Sequence, residues 1–110
     1  MIRLSKSCVG LEEKNAVSEV LEKEFLGMGK EVGDFEIKLT DFFGRKATCV
    51  SSGTAAVQLA LQACNVKDQD EVLVQSLTYV ATFQAISAIG AKPIPVDINL
   101  ETMSIDLDDA

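Results

Sequence analysis

Residues 11–26 (LEEKNAVSEVLEKEFL) place Val17, Val20, Leu21 and Phe25 at helical spacing, with charged side chains on the opposite face. That pattern predicts an amphipathic helix. Gly27-Met28-Gly29 then breaks it. A second, shorter helix is predicted over about 34–43, with Phe35, Leu39 and Phe42 on one stripe and Gly44 placed to cap its C-terminus. The glycine-rich joint at 27–33 reads either as a plain connector or as a mobile loop beside a ligand.

Beyond Gly44 the period changes. Residues 47–51 (ATCVS) are small and β-branched and predict a short strand, followed by Ser52-Gly53-Thr54. Residues 55–64 (AAVQLALQAC) form a strong helix pattern, apolar over most of its circumference, and the polar stretch 65–70 turns the chain. A second strand is predicted at 71–75 (EVLVQ), a helix at about 79–89 capped by Gly90, and a third strand at 92–98 (KPIPVDI). Strand, helix, strand, helix, strand with short connections is the pattern of a parallel sheet, so the fold class is α/β: a parallel-type βαβαβ arrangement preceded by two helices.

Two windows, 47–66 and 72–91, each run for 20 residues without a formal charge. Length and charge alone nominate both as membrane spans. Each contains several Ser, Thr, Gln or Asn residues and a glycine, which are costly in lipid. Strands covered on both faces explain the missing charges better, so neither is read as a span.

Composition narrows the chemistry. The 110 residues carry 17 acidic and 10 basic side chains, a formal charge of −7. The acidity argues against a nucleic-acid binder, whose affinity rests on clustered Lys and Arg. Histidine is absent, which removes Ser-His and Cys-His nucleophile pairs, His-liganded metal sites and imidazole acid–base steps. Cys8, Cys49 and Cys64 are odd in number, widely spaced and without C-x-x-C, and read as buried reduced thiols of a cytosolic protein. The N-terminus MIRLSKSCVG lacks the apolar core of a secretory signal. At the other end, 99–102 reads as a turn and 103–105 as a brief extended segment. Residues 106–109 (DLDD) resemble the acidic first turn of a helix, with the sequence stopping at Ala110; this reads as the opening portion of a longer chain.

Ser51-Ser52-Gly53-Thr54 is the best candidate for chemistry. In a parallel α/β sheet, ligands bind outside the carboxyl ends of the strands, where loops enter helix N-termini. Free N–H groups and the helix dipole make such a start an anion site; Gly53 lets a phosphate approach the backbone, and Ser52 and Thr54 add hydroxyls. An ordinary N-cap uses the same residues. Neither G-x-G-x-x-G nor a P-loop is present. Tyr79, the only tyrosine, follows the second strand at the same predicted edge. It reads either as a stacking partner for a flat ring whose phosphate sits at Ser52–Thr54, or as a core aromatic under its helix. Phe83, one turn later, reads as core.

The ordered succession Ser52-Gly53-Thr54-Ala55, Asp70-Glu71-Val72, Ser76-Leu77-Thr78-Tyr79-Val80-Ala81-Thr82, Gly90-Ala91-Lys92-Pro93 and Val96-Asp97 resembles the DegT/DnrJ/EryC1/StrS family of pyridoxal-phosphate-dependent sugar aminotransferases. Upstream, 4–7 (LSKS) and 29–36 match further family segments. The resemblance implies the N-terminal part of a fold-type-I aminotransferase large domain, with 1–46 a helical segment and 47–110 an incomplete cofactor-binding α/β domain. It implies that Gly53 and Thr54, with Ser52 nearby, contact the phosphate of pyridoxal 5'-phosphate, and that Tyr79 stacks on the pyridine ring.

The reaction so implied moves an amino group, from glutamate, to a keto sugar on a nucleotide carrier, in a cytoplasmic homodimer, with no part for nucleic acid or membrane. The family's pyridine-pairing Asp and Schiff-base Lys lie downstream of the positions matched here. Lys6, Lys14, Lys23, Lys30, Lys38, Lys46, Lys67 and Lys92 stand outside the Schiff-base motif, and Asp97 reads as structural. The expectation is therefore a chain inactive alone, with no catalytic residue and no metal ligand of its own. A sugar dehydratase of the same family and a stand-alone phosphate-binding module are the alternative readings.

Overall fold

In the computed structural model, which describes residues 5–110, the first pattern forms helix α1 (Leu11–Glu22) and the second forms α2 (Lys30–Phe43). Both lie in a first compact unit that reaches Cys49; a second runs from Val50 to Ala110. The N–H of Gly10 donates to Glu13 Oε2 at 2.6 Å and closes the first turn of α1. The helix ends at Glu22 rather than at 26, because Glu24 takes a left-handed φ of 53° and the last N–H groups bond three residues back, Lys23 to Val20 and Glu24 to Leu21.

Helix α2 begins at Lys30, earlier than the predicted 34. Gly29 is extended and serves as N-cap, and a Lys30–Asp34 ion pair one turn apart supports the first turns. Four of the seven residues of the glycine-rich joint are therefore helix. The left-handed Gly44, φ 63°, ends α2 as its position predicts. No side chain of α1 or α2 is buried.

Residues 47–51 are not a paired strand. Along α2, Thr40 Oγ1 accepts the N–H of Ala47 at 3.0 Å and Glu36 Oε1 accepts that of Cys49 at 2.7 Å. Side chains one helical turn apart thus occupy alternate N–H groups of the segment, the ones a neighbouring strand would otherwise use.

The second unit opens with α3 (Gly53–Ala63), followed by strand β1 (Glu71–Gln75), helix α4 (Val80–Ser87) and strand β2 (Lys92–Val96). Strands β1 and β2 pair in parallel, Glu71 opposite Lys92 through Gln75 opposite Val96, as the α/β class requires. The sheet has these two strands among the described residues, rather than the three predicted. The main chain of Lys92 and Val96 turns toward β1, through Lys92 N–H to Asp70 O and Ser76 N–H to Val96 O, each 2.8 Å. Pro93 and Pro95 therefore present their missing donors on the outer edge, where two ladder bonds cannot form.

Val74, Ile86 and Ala91 make the core, with Leu61, Val66, Val72, Phe83 and Ile89 packed around it. Phe83 is a core residue, as read from its position. Helices α3 and α4 pack on each other, and α4 packs on both strands. Only one face of β1 is buried: Leu73, which points away from the core, is 53% exposed. The cover on both faces expected from the charge-free window 72–91 is therefore not seen for β1 among the described residues. Among the described residues, no helix is long and apolar enough to cross a membrane.

The predicted third strand stops at Val96. Ile98–Asn99 (β3) instead pairs antiparallel with Ser104–Ile105 (β4), around a turn in which Asn99 Oδ1 accepts the N–H groups of Glu101 and Thr102 at 3.0 and 3.2 Å. Asp97 Oδ1 accepts the N–H of Ile98 at 2.8 Å, and the N–H of Asp97 donates to Asp109 Oδ2 at 2.8 Å. Residues 107–109 form a turn, with Asp106 Oδ1 accepting the N–H of Asp108 at 3.0 Å.

Candidate functional site

The start of α3 is shaped by Ser52. Its backbone is extended, its Oγ accepts the N–H of Ala55 at 3.1 Å, and its carbonyl accepts that of Ala56 at 3.0 Å. The cap leaves the N–H groups of Gly53 and Thr54 without an acceptor among the described residues. The two readings of Ser52 are therefore compatible, because the hydroxyl that accepts from Ala55 still has its own proton to donate. A Cβ on Gly53 would meet nothing within 4 Å, so the space beside these donors is open. Ser52 and Gly53 are exposed and Thr54 is half-buried.

Tyr79 is the N-cap residue of α4, with φ −71° and ψ 136°. Its extended backbone takes the side chain off the helical face that Phe83 uses, and the ring is 78% exposed. The core reading of Tyr79 is thereby overturned: an aromatic under the helix requires burial, and Phe83 supplies it.

The two helix starts share one end of the unit. At the other end, Gln69 in the α3–β1 loop donates its N–H to the carbonyl of Gly90 after α4, at 3.0 Å. The C-terminal ends of α3 and α4 are thus tied together, and the helices pack alongside each other. Their N-termini face the carboxyl ends of β1 and β2, which places Ser52, Gly53, Thr54 and Tyr79 along one edge.

Within the second unit this edge has no cation among the described residues. Lys67 and Lys92 are the only basic residues after position 49, and both belong to the opposite end, in the α3–β1 loop and at the start of β2. An anion at Gly53–Thr54 would meet backbone dipoles and hydroxyls. All eight lysines are exposed. The expected burial of the thiols does not hold: Cys8 and Cys64 are exposed and Cys49 is half-buried. Among the described residues no three His, Cys, Asp or Glu side chains converge to hold a metal.

Sequence reasoning missed Gln75. The last residue of β1 turns its side-chain amide forward, and Nε2 donates to the carbonyl of Leu77 at 2.8 Å. A polar residue closing an apolar strand was the available signal.

Residues 7–110 match the DegT/DnrJ/EryC1/StrS aminotransferase family. The dTDP-4-dehydro-2,3,6-trideoxy-D-glucose 4-aminotransferase of Saccharopolyspora spinosa is 32% identical over 112 residues, covering 99% of this chain and 29% of that protein. A Streptococcus pneumoniae protein assigned as a sugar aminotransferase, solved in its PMP form, superimposes with a TM-score of 0.86 at 31% identity, covering 98% of this chain and 28% of that one. The E. coli GDP-4-keto-6-deoxy-D-mannose-3-dehydratase with bound hydrated PLP gives 0.84 at 28% identity, covering 96% and 29%. The chain thus spans less than a third of the length of each relative. With its parallel βαβ unit and family blocks in order, the chain belongs to the DegT/DnrJ/EryC1/StrS aminotransferase family.

Proposed function

We propose that this chain forms the phosphate and ring side of a pyridoxal 5'-phosphate site in an aminotransferase acting on nucleotide-linked keto sugars, with glutamate as amino donor. The observation that carries this reading is the pair of N–H groups at Gly53 and Thr54, without an acceptor among the described residues, on the same edge as the exposed ring of Tyr79. These donors fit a phosphate: two N–H groups at a helix start, an open approach at Gly53, and hydroxyls on Ser52 and Thr54. When bound, the cofactor supplies the electron sink that lets an amino group pass between donor and sugar.

The chain's own residues bind and orient. With the cofactor bound, Gly53 and Thr54 would hold its phosphate at the positive end of α3, and Tyr79 would stack on its ring. Every lysine here is exposed, and none adjoins this edge within the second unit. The 110 residues therefore hold the cofactor without a covalent bond and transfer no amino group by themselves. Residues 47–110 are the cofactor-bearing part and 1–46 the helical lead-in. The working enzyme is a cytoplasmic homodimer.

A dehydratase of the same family is the second reading. It is favoured by the near-equal TM-scores to the S. pneumoniae protein and the E. coli dehydratase, 0.86 and 0.84.

Tyr79 is the sole tyrosine and tryptophan is absent, so its fluorescence reports on this edge alone. Titration with pyridoxal phosphate is expected to quench it saturably, with inorganic phosphate competing. Borohydride should then label several exposed lysines rather than one. Failure to quench overturns the site, and a single stoichiometrically labelled lysine overturns non-covalent binding.

A further inference from the structure

We propose that Gln75 is a positioning residue that fixes Tyr79 at the cofactor edge, an inference that rests on the reading of Tyr79 as the ring-stacking residue. The connection from β1 to α4 is short and pinned at both ends. At its start, the N–H of Ser76 continues the ladder to Val96 O at 2.8 Å. At its finish, Tyr79 O accepts the N–H of Thr82 at 3.0 Å. Between them the path of peptide 77–78 decides where the Tyr79 ring stands, because that ring has little packing of its own at 78% exposure.

Two side-chain bonds act on this stretch. The hydroxyls of Thr78 and Thr82 meet at 3.4 Å, near the limit of a hydrogen bond. The Gln75 amide makes the close one, 2.8 Å from Nε2 to the carbonyl of Leu77. Gln75 is anchored as the last residue of β1, paired with Val96, and is half-buried, whereas Leu77 is exposed. The rigid partner is therefore the strand, and the bond holds the loop to it. The chemistry asks for a donor of this length: an amide donates to a carbonyl, a carboxylate repels it, and an apolar side chain leaves it to water.

The test uses the full chain with Gln75→Met, which keeps the shape and loses the donor, and Gln75→Lys, which restores a donor. Tyrosine fluorescence anisotropy is read without ligand, and affinity is read for pyridoxal phosphate and for inorganic phosphate. Gln75→Met is expected to lower the anisotropy and weaken pyridoxal phosphate binding roughly threefold to tenfold, the loss of one ordinary hydrogen bond. Inorganic phosphate affinity should stay within twofold, and Gln75→Lys should recover the anisotropy.

Unchanged anisotropy in Gln75→Met overturns the proposal. So does an equal loss of inorganic phosphate binding, which marks general loosening of the unit. If wild-type Tyr79 is not quenched by pyridoxal phosphate, the site reading fails. The anisotropy of the ligand-free variants still decides whether Gln75 holds Tyr79.

Discussion

Glu36 accepts the backbone N–H of Cys49 at 2.7 Å, so a carboxylate on a helix holds an extended segment 13 positions further along the chain. With Thr40 on Ala47, it stands in for one edge of a strand pair. Glu36→Ala leaves a part-buried N–H without its partner and is expected to cost about 1 kcal/mol. Glu36→Gln keeps an acceptor and should cost less. Amide hydrogen exchange at Cys49 checks this directly: faster exchange is expected in Glu36→Ala, and unchanged exchange refutes the clamp.

Gly90 turns the chain from α4 into β2 at φ 81°, and a Cβ there would collide with the Asp68 carboxylate. Gly90→Ala should destabilise the second unit by more than the roughly 1–2 kcal/mol of a left-handed residue alone. Gly44→Ala has a similar φ of 63° but open space, and should show only that backbone cost. Urea unfolding of the two variants separates conformation from contact. Equal losses would show that the Asp68 contact relaxes freely.

These positions show which parts of the structure could be read from the sequence. The strand at 71–75 was bounded by a polar loop and a Ser-Leu-Thr turn, and the structure has β1 at those residues. Helix ends were less readable, because an amphipathic face continues through Phe25 whether or not the backbone does, and the left-handed turn at Glu24 has no side-chain signature. Residues 47–51 look like a strand locally. Pairing, however, is decided by distant partners, here Glu36 and Thr40. Tyr79 and Phe83 are four apart and suggest one helical face; only the backbone angles at the N-cap show that Tyr79 leaves it.

Ser52 and Thr54 should separate stability from binding. Ser52→Ala removes the cap on Ala55 and is expected to cost about 1 kcal/mol of stability. Thr54→Ala leaves the cap in place and should weaken inorganic phosphate binding several-fold with little change in the melting midpoint. Isothermal titration and thermal melts, run on both variants, would contradict this assignment if Thr54→Ala bound phosphate as tightly as wild type.

The acid and alkaline limits of the first unit have opposite signs. Hydrogen bonds from its own N–H and from that of Gly10 hold the Glu13 carboxyl below its usual 4.5. The Lys23 side chain, followed by a backbone N–H, does the same for Glu31. The stability these carboxylates lend is full above pH 4.5 and is lost as pH falls through their lowered values. Lys23 is raised by its hydrogen bond to Glu31, so its share is full below 10.5 and lost as pH rises through the raised value. Helical circular dichroism should therefore decline at both extremes. Glu31→Gln should remove the Lys23 part of the alkaline decline, and an unaltered alkaline limb would exclude the pair as its source.

Val17, Leu21, Phe35 and Phe42 ride on α1 and α2 with more than half of each side chain already in water. The heat capacity of unfolding comes mainly from apolar surface newly hydrated as a structure opens. Melting these two helices exposes little that was dry, so a calorimeter should record a broad, shallow transition with almost no step in its baseline. Folded or unfolded, this part of the molecule shows water much of the same apolar face. Cooling therefore gains it little, and cold denaturation, which feeds on that difference, has little hold on it.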